Sequence, residues 1–244
     1  MVFYLTDDSI IETGIEGLDS MLKGGVPMKN QTIIAGGPGA GKTLLCLEIL
    51  YNNAKKGIPG VFISMEEDPG HIVRNFKKAF PDFSDIDKLI ADKIIVIDGQ
   101  DPSSKIMGTS DYERYTFGTI VSDIENEILK NNAKIVVIDS LSMLSLVLTD
   151  KVNYRKSVLA LIANFNRLGV TSFLTYELDS SERTNLKFEA DFFLFDGLLT
   201  LYQSSQEDRR AFLTEIVKMR GVDHSHALVP YEITSQGIKV YSIN

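Results

Sequence analysis

The sequence predicts an α/β protein with a mostly parallel central sheet, helices on both faces and antiparallel strands at the C-terminal end. Three observations carry this. Short apolar runs bounded by polar turns recur at residues 32–35, 61–64, 93–97, 135–138 and 170–176, each the length of a buried strand. Between them lie stretches of helical period, and strands alternating with helices imply βαβ units. After Asp191 shorter runs at 198–202, 212–217, 231–234 and 238–241 are separated by Ser, Asp, Gly and Gln, the pattern of hairpins added to one sheet edge.

Taken in order, the run 32–35 enters a glycine-rich bend and then a helix beginning near Lys42. The run 61–64 is followed by Asp68-Pro69, an N-cap residue with proline at the first helical position. The polar stretch 99–115 has no convincing period, and a loop of that length in a compact domain is usually functional or mobile. Phe117, Ile120, Val121, Ile124 and Ile128 share one helix face, as do Val158, Leu161, Ile162, Phe165 and Leu168. No linker or repeat divides the chain, so residues 1–244 read as one domain.

Composition narrows the class. Lys and Arg number 25 against 33 Asp and Glu, a net charge of −8 that argues against broad binding to a phosphate backbone. The single cysteine, Cys46, excludes an intrachain disulfide scaffold and fits a reducing cytoplasm; lying among leucines, it reads as a small buried apolar residue. The N-terminus lacks the pattern of a secretion signal, and no uncharged apolar run approaches the roughly 20 residues that span a bilayer. His71, His224 and His226 have no zinc-ligand spacing with Cys46.

Gly36-Gly37-Pro38-Gly39-Ala40-Gly41-Lys42-Thr43 satisfies G-x-x-x-x-G-K-[ST] between a strand and a helix. A polyphosphate needs many donors at short range; glycines let the backbone curl so that N–H groups converge, and the helix N-terminus adds unpaired N–H groups and its positive dipole end. Gly37, Pro38, Gly39, Ala40, Gly41, Lys42, Thr43 and Leu44 are therefore the nucleotide-binding candidates. Lys42 would reach the β- and γ-phosphates, and the Thr43 hydroxyl would ligate Mg2+.

Such a loop needs a carboxylate on a neighbouring strand to hold the ion, and Asp139, after the apolar run 135–138, supplies one. Glu66 and Glu67 follow another strand; Glu66 is the candidate base for an attacking water, with Glu67 supporting it. Ser172 to Glu177 ends a further strand with polar groups that could sense a γ-phosphate.

With these residues in view, the chain resembles the KaiC family of RecA-like P-loop ATPases from about Glu12 onward. Thr13-Gly14-Ile15-Glu16-Gly17-Leu18-Asp19 and Gly24-Gly25-Val26-Pro27 look like the family's entry segment; the P-loop, Glu66-Glu67, Asp139-Ser140 and Lys218-Met219-Arg220-Gly221-Val222-Asp223-His224 follow in order. The resemblance implies slow ATP hydrolysis in a homo-oligomeric ring, a hexamer, with a regulatory or signalling role. In it Lys218, Met219, Arg220 and His224 would contact the nucleotide of the neighbouring subunit. The family's adjacent phosphoacceptors fall, without gaps, at Phe192 and Phe193, so neither autophosphorylation nor a circadian role is carried over. The family's basic residue two positions past the histidine is here His226.

Two other functions remain open at this point. A RecA-like recombinase paralogue binding single-stranded DNA would use the segment 180–187, where Arg183 and Lys187 are offset by Glu182 and Glu189. A non-hydrolysing, ATP-dependent scaffold would recruit a protein partner through the loop 99–115, with Tyr112, Arg114 and Tyr115 as contacts.

Overall fold

The computed structural model describes residues 9–99, 117–147, 150–180, 183, 189–206 and 209–241. In chain order, β1 (Ile10–Ile11) and β2 (Val26–Pro27) flank helix α1 (Glu16–Met21) and pair with each other as a small antiparallel ribbon. Next come β3 (Gln31–Gly36), α2 (Lys42–Ala54), β4 (Gly60–Ser64), α3 (Pro69–Ala79), α4 (Ile86–Ala91) and β5 (Ile95–Gly99). Then follow α5 (Phe117–Lys130), β6 (Ile135–Asp139), α6 (Ser142–Val147), α7 (Lys151–Leu168) and β7 (Thr171–Glu177). A 3-10 turn (Ala190–Leu194) leads into β8 (Gly197–Gln206), β9 (Arg209–Met219), β10 (Val229–Thr234) and β11 (Gly237–Val240).

Among the described residues the main sheet has nine strands in the order β11-β10-β9-β8-β3-β7-β6-β4-β5. From β8 to β5 all pairs are parallel; β8–β9, β9–β10 and β10–β11 are antiparallel, so the C-terminal hairpins extend one edge as the sequence predicts. The two-residue period of the strands divides the core in two. Ile34, Phe62, Val137 and Phe173 point to the face covered by α2, with Leu45, Cys46, Leu47, Ile49 and Leu50. Ile33, Ile63, Val136, Ile138 and Leu174 point to the other, under Ile120, Ile124 and Ile128 of α5 and Val158, Leu161 and Phe165 of α7. Because the central strands are covered twice, their sequences read as unbroken apolar runs.

Helix ends follow local chemistry. Asp68 accepts from His71 N at 3.1 Å with Pro69 at the first helical position, Asp150 accepts from Val152 N at 3.1 Å, and Gly169 ends α7 at φ +67°. The strand predicted from residue 93 begins at Ile95 instead. Lys93 and Ile94 close α4, donating to Ile90 O at 3.0 Å and Leu89 O at 2.9 Å, and Lys93 lies at φ +56°, outside strand geometry. β8 and β9 outrun their apolar segments because each supplies the other's ladder as far as Gln206 and Arg209. Among the described residues no helix is long and apolar enough to cross a membrane.

One buried group couples this fold to pH. Glu48 of α2 is 4% exposed and accepts from Ile238 N of β11 at 2.8 Å. Burial lifts its carboxyl from 4.5 to about 7 against the opposing pull of that hydrogen bond. The folded pKa is the higher one, so stability from the protonated form is fully present below the unfolded value and is lost as pH rises through about 7. Glu48→Gln keeps an acceptor without the charge. Its unfolding free energy is expected to exceed the wild-type value at pH 8 by more than at pH 4.5, with a ceiling of roughly 3 kcal/mol, read by denaturant titration at the two pH values. Equal differences at the two pH values would contradict the assignment.

Candidate active site

The glycine bend follows from where β3 ends. Gly36 packs so closely on β8 that a Cβ there would stand 2.7 Å from Leu201 O. Gly39 at φ +74° and Gly41 at φ +86° then turn the chain through left-handed conformations that cost other residues about 1–2 kcal/mol each. Gly41 is the N-cap of α2 and no side chain caps that end, so the first N–H groups of the helix face the bend. The Lys42 ammonium folds over the loop, donating to Gly36 O at 2.9 Å and Gly37 O at 3.0 Å. Burial pulls its pKa below the ordinary lysine value, while Glu177, Asp139 and Glu66 pull it back up.

The parallel order brings the carboxyl ends of β4, β6 and β7 to the same side. Asp139, at the end of β6, accepts from Thr43 Oγ1 of α2 at 2.7 Å on one oxygen and from Thr175 Oγ1 of β7 on the other. Burial raises its carboxyl above the usual aspartate range; the two threonine hydrogen bonds oppose this, Glu66 repulsion adds to it and Lys42 subtracts. Glu66 follows β4 and takes a hydrogen bond from the buried hydroxyl of Ser140, the residue after Asp139, on Oε1. Met65 N donates to Asp139 O at 2.6 Å, tying the two strand ends together. Glu67 is exposed beside Glu66; its backbone is fixed by Ser64, whose hydroxyl donates to Glu67 O at 2.7 Å and accepts from Glu67 N at 3.0 Å. Glu177 N donates to Ser142 Oγ at 2.8 Å.

One ammonium thus lies among the carboxylates of Asp139, Glu66 and Glu177, a local surplus of negative charge. That surplus suits a divalent cation. Among the described residues no group of three or more His, Cys, Asp or Glu forms a metal cage. A threonine hydroxyl and one carboxylate fit an ion such as Mg2+, which keeps several waters and takes other ligands from phosphate.

Lys218, Met219, Arg220 and His224 are not brought to this edge. Met219 pairs with Gly197, which pairs with Thr32 at the start of β3, whereas the glycine loop leaves β3 after Gly36. Four residues of strand and two strand spacings put about 13 Å along the sheet and about 10 Å across it between them. Lys218 Nζ donates to Phe193 O at 3.2 Å and also to Phe195 O; Arg220 pairs with Asp196 at 3.2 Å and donates to Phe193 O at 3.4 Å. Burial, and then Arg220, lower the pKa of Lys218, opposed by Asp196. Met219 is buried, and His224 lies with its ring 4.7 Å from that of His226. Phe192 is buried edge-on against Tyr176, and Phe193 is 64% exposed.

Arg183, from the segment considered for DNA, is paired with Glu215 at 3.0 Å. Lys187 and the candidate contacts Tyr112, Arg114 and Tyr115 lie outside the described residues. Sequence reasoning passed over Ser140 and Thr175 as ligands of the carboxylates, and Gln203 and Tyr231 as contacts of the glycine loop. Thr175 had a signal as a polar residue of the segment 172–177, and Ser140 stood in the Asp139-Ser140 match; Gln203 and Tyr231 had none that sequence spacing reveals.

Comparison with known proteins bears on the family of the chain. A family model described as the KaiC ATPase matches residues 11–244. The circadian clock oscillator protein KaiC 1 of Synechocystis sp. is 31% identical over 237 residues, covering 96% of this chain and 44% of that protein. The corresponding protein of Rippkaea orientalis is 30% identical over 96% of this chain and 44% of its own length. A UPF0273 protein of Aeropyrum pernix is 31% identical, covering 95% of this chain and 93% of that protein. The chain therefore spans less than half the length of the clock proteins it matches. Its sheet, with parallel strands and antiparallel C-terminal additions, is the RecA-like arrangement of a KaiC-type domain. By the extent of the match and the order of its strands, the chain belongs to the KaiC family of ATPases.

Proposed function

We propose that residues 1–244 form one domain that binds Mg-ATP and hydrolyses it slowly where two copies meet in a homo-oligomeric ring. Six subunits is the size implied by the family resemblance, and the role is regulatory or signalling. The observation that carries the reading is the separation of two opposite charges. Glu66, Asp139 and Glu177 gather around the glycine-loop Lys42, while Lys218 and Arg220 stand at the far end of the sheet. A head-to-tail contact would pair these edges, and repeated by rotation it closes into a ring. The Aeropyrum pernix relative, matched over 93% of its length, supports a single-domain unit.

In this reading the loop from Gly37 to Leu44 holds the phosphates on backbone N–H groups, and Lys42 exchanges its carbonyl partners for phosphate oxygens. Thr43 and Asp139 would hold Mg2+, which would supply neutralisation of phosphate charge. Ser140 fixes one oxygen of Glu66 and leaves the other to take a proton from the attacking water, with Glu67 beside it. Lys218, Arg220 and His224 of the adjoining copy stabilise charge on the transferred phosphoryl group, a contribution worth about 10³–10⁵ in rate in other NTPases. Assembly would then gate turnover.

Lys42→Ala is expected to abolish ATP binding, and Glu66→Gln to retain binding while losing at least about 10²-fold in hydrolysis. Undiminished turnover in both variants would remove the site assignment. Arg220→Ala is expected to be inactive alone, yet mixing it with Lys42→Ala subunits should restore about one quarter of wild-type activity, because random neighbours then regenerate complete sites. Phosphate release from the mixture checks this; no gain over the separate variants would contradict action across the subunit boundary.

A further inference from the structure

A peptide unit points its C=O and the next residue's N–H in opposite directions, so whatever holds a carbonyl outward also aims the following N–H inward. In the glycine loop, Ala40 N–H is spent on Gly37 O at 3.3 Å, and Pro38 has no N–H. The N–H groups left for a ligand therefore include those of Gly39 and Gly41, whose orientations depend on the carbonyls of Pro38 and Ala40. Both carbonyls are held from outside the loop. Gln203 Nε2 of β8 donates to Pro38 O at 2.9 Å, and Tyr231 OH of β10 donates to Ala40 O at 2.6 Å.

The second of these bonds is dry. Tyr231 is 2% exposed and Ala40 fully buried, and burial raises the phenol pKa, keeping the hydroxyl a donor. β10 also presses on the bend directly: a Cβ on Gly41 would stand 2.7 Å from Ile233 Cδ1. The same hairpin is fastened to α2 through Ile238 N and Glu48. Lys42 must be released to a bound phosphate, but Gln203 and Tyr231 face the outside of the cradle and keep their partners.

We infer that Tyr231 and Gln203 are positioning residues for the phosphate-binding loop, through which the C-terminal antiparallel strands aim the Gly41 and Gly39 N–H groups. The inference rests on the reading that this loop binds a triphosphate, and neither side chain touches the ligand itself. The test is calorimetric titration of the full chain with Mg-ATP and with tripolyphosphate. Tyr231→Phe should raise both dissociation constants by a common factor of about 5–30, and Gln203→Ala, on a more exposed bond, by about 2–5. Phe212→Leu removes ring packing against Tyr231, whose centroid lies 5.4 Å away, while sparing the hydroxyl. It should lower the melting temperature and leave both constants unchanged, which separates aiming of the loop from general stability. Should Tyr231→Phe fail to fold, Gln203→Ala alone decides. Wild-type affinities in Tyr231→Phe and Gln203→Ala, beside a binding-competent wild type, would overturn the inference and leave the site intact. A wild type that binds neither probe would overturn the site and the inference together.

Discussion

Chain direction in one sheet separates the carboxylates beside the glycine loop from the cations Lys218 and Arg220. β3 runs toward the glycine loop, β8 runs with it and β9 runs back, so the residues ending β9 arrive beside the start of β3. No rotamer change in Lys218 or Arg220 spans the resulting gap of some 13 Å by 10 Å. Their present partners, the carbonyls of Phe193 and Phe195 and the carboxylate of Asp196, hold them at the surface of that edge. Burial already lowers the ammonium pKa of Lys218, a cost that a phosphate oxygen from another copy would offset.

The opposite edge carries the complementary strain. Asp139 is ionisable, partly buried and close to Glu66, and two threonine hydroxyls do not fully counter the desolvation that raises its pKa. A divalent ion would reverse the sign of that balance, since a nearby positive charge favours the carboxylate form. The site thus has too much negative charge when considered by itself, and the other edge carries the cations. Both features follow from which strand ends the parallel order gathers on one side.

Much of this was legible in the residues. The runs that became β3, β4, β6 and β7 are uncharged because both faces are covered, and the glycine motif sits where a strand meets a helix. The Asp68-Pro69 cap and the buried Cys46 were equally local readings. What escaped depends on contacts between distant segments. Gln203 and Tyr231 reach the loop across 165 and 191 residues, and nothing in their own neighbourhood distinguishes them from other polar and aromatic strand residues. The start of β5 was misplaced because Lys93 and Ile94 are apportioned by the end of α4, a capping geometry that apolar pattern does not encode. The 3-10 turn that places Phe193 at the surface and Phe192 in the core has no periodic signature.

In the proposed reading one copy holds only part of a nucleotide site. Light-scattering mass measured with and without Mg-ATP, together with nucleotide bound per subunit, tests it most directly. A closed multimer with one nucleotide for each subunit is the expected result. A single-copy protein that takes up no adenine or guanine nucleotide would contradict it.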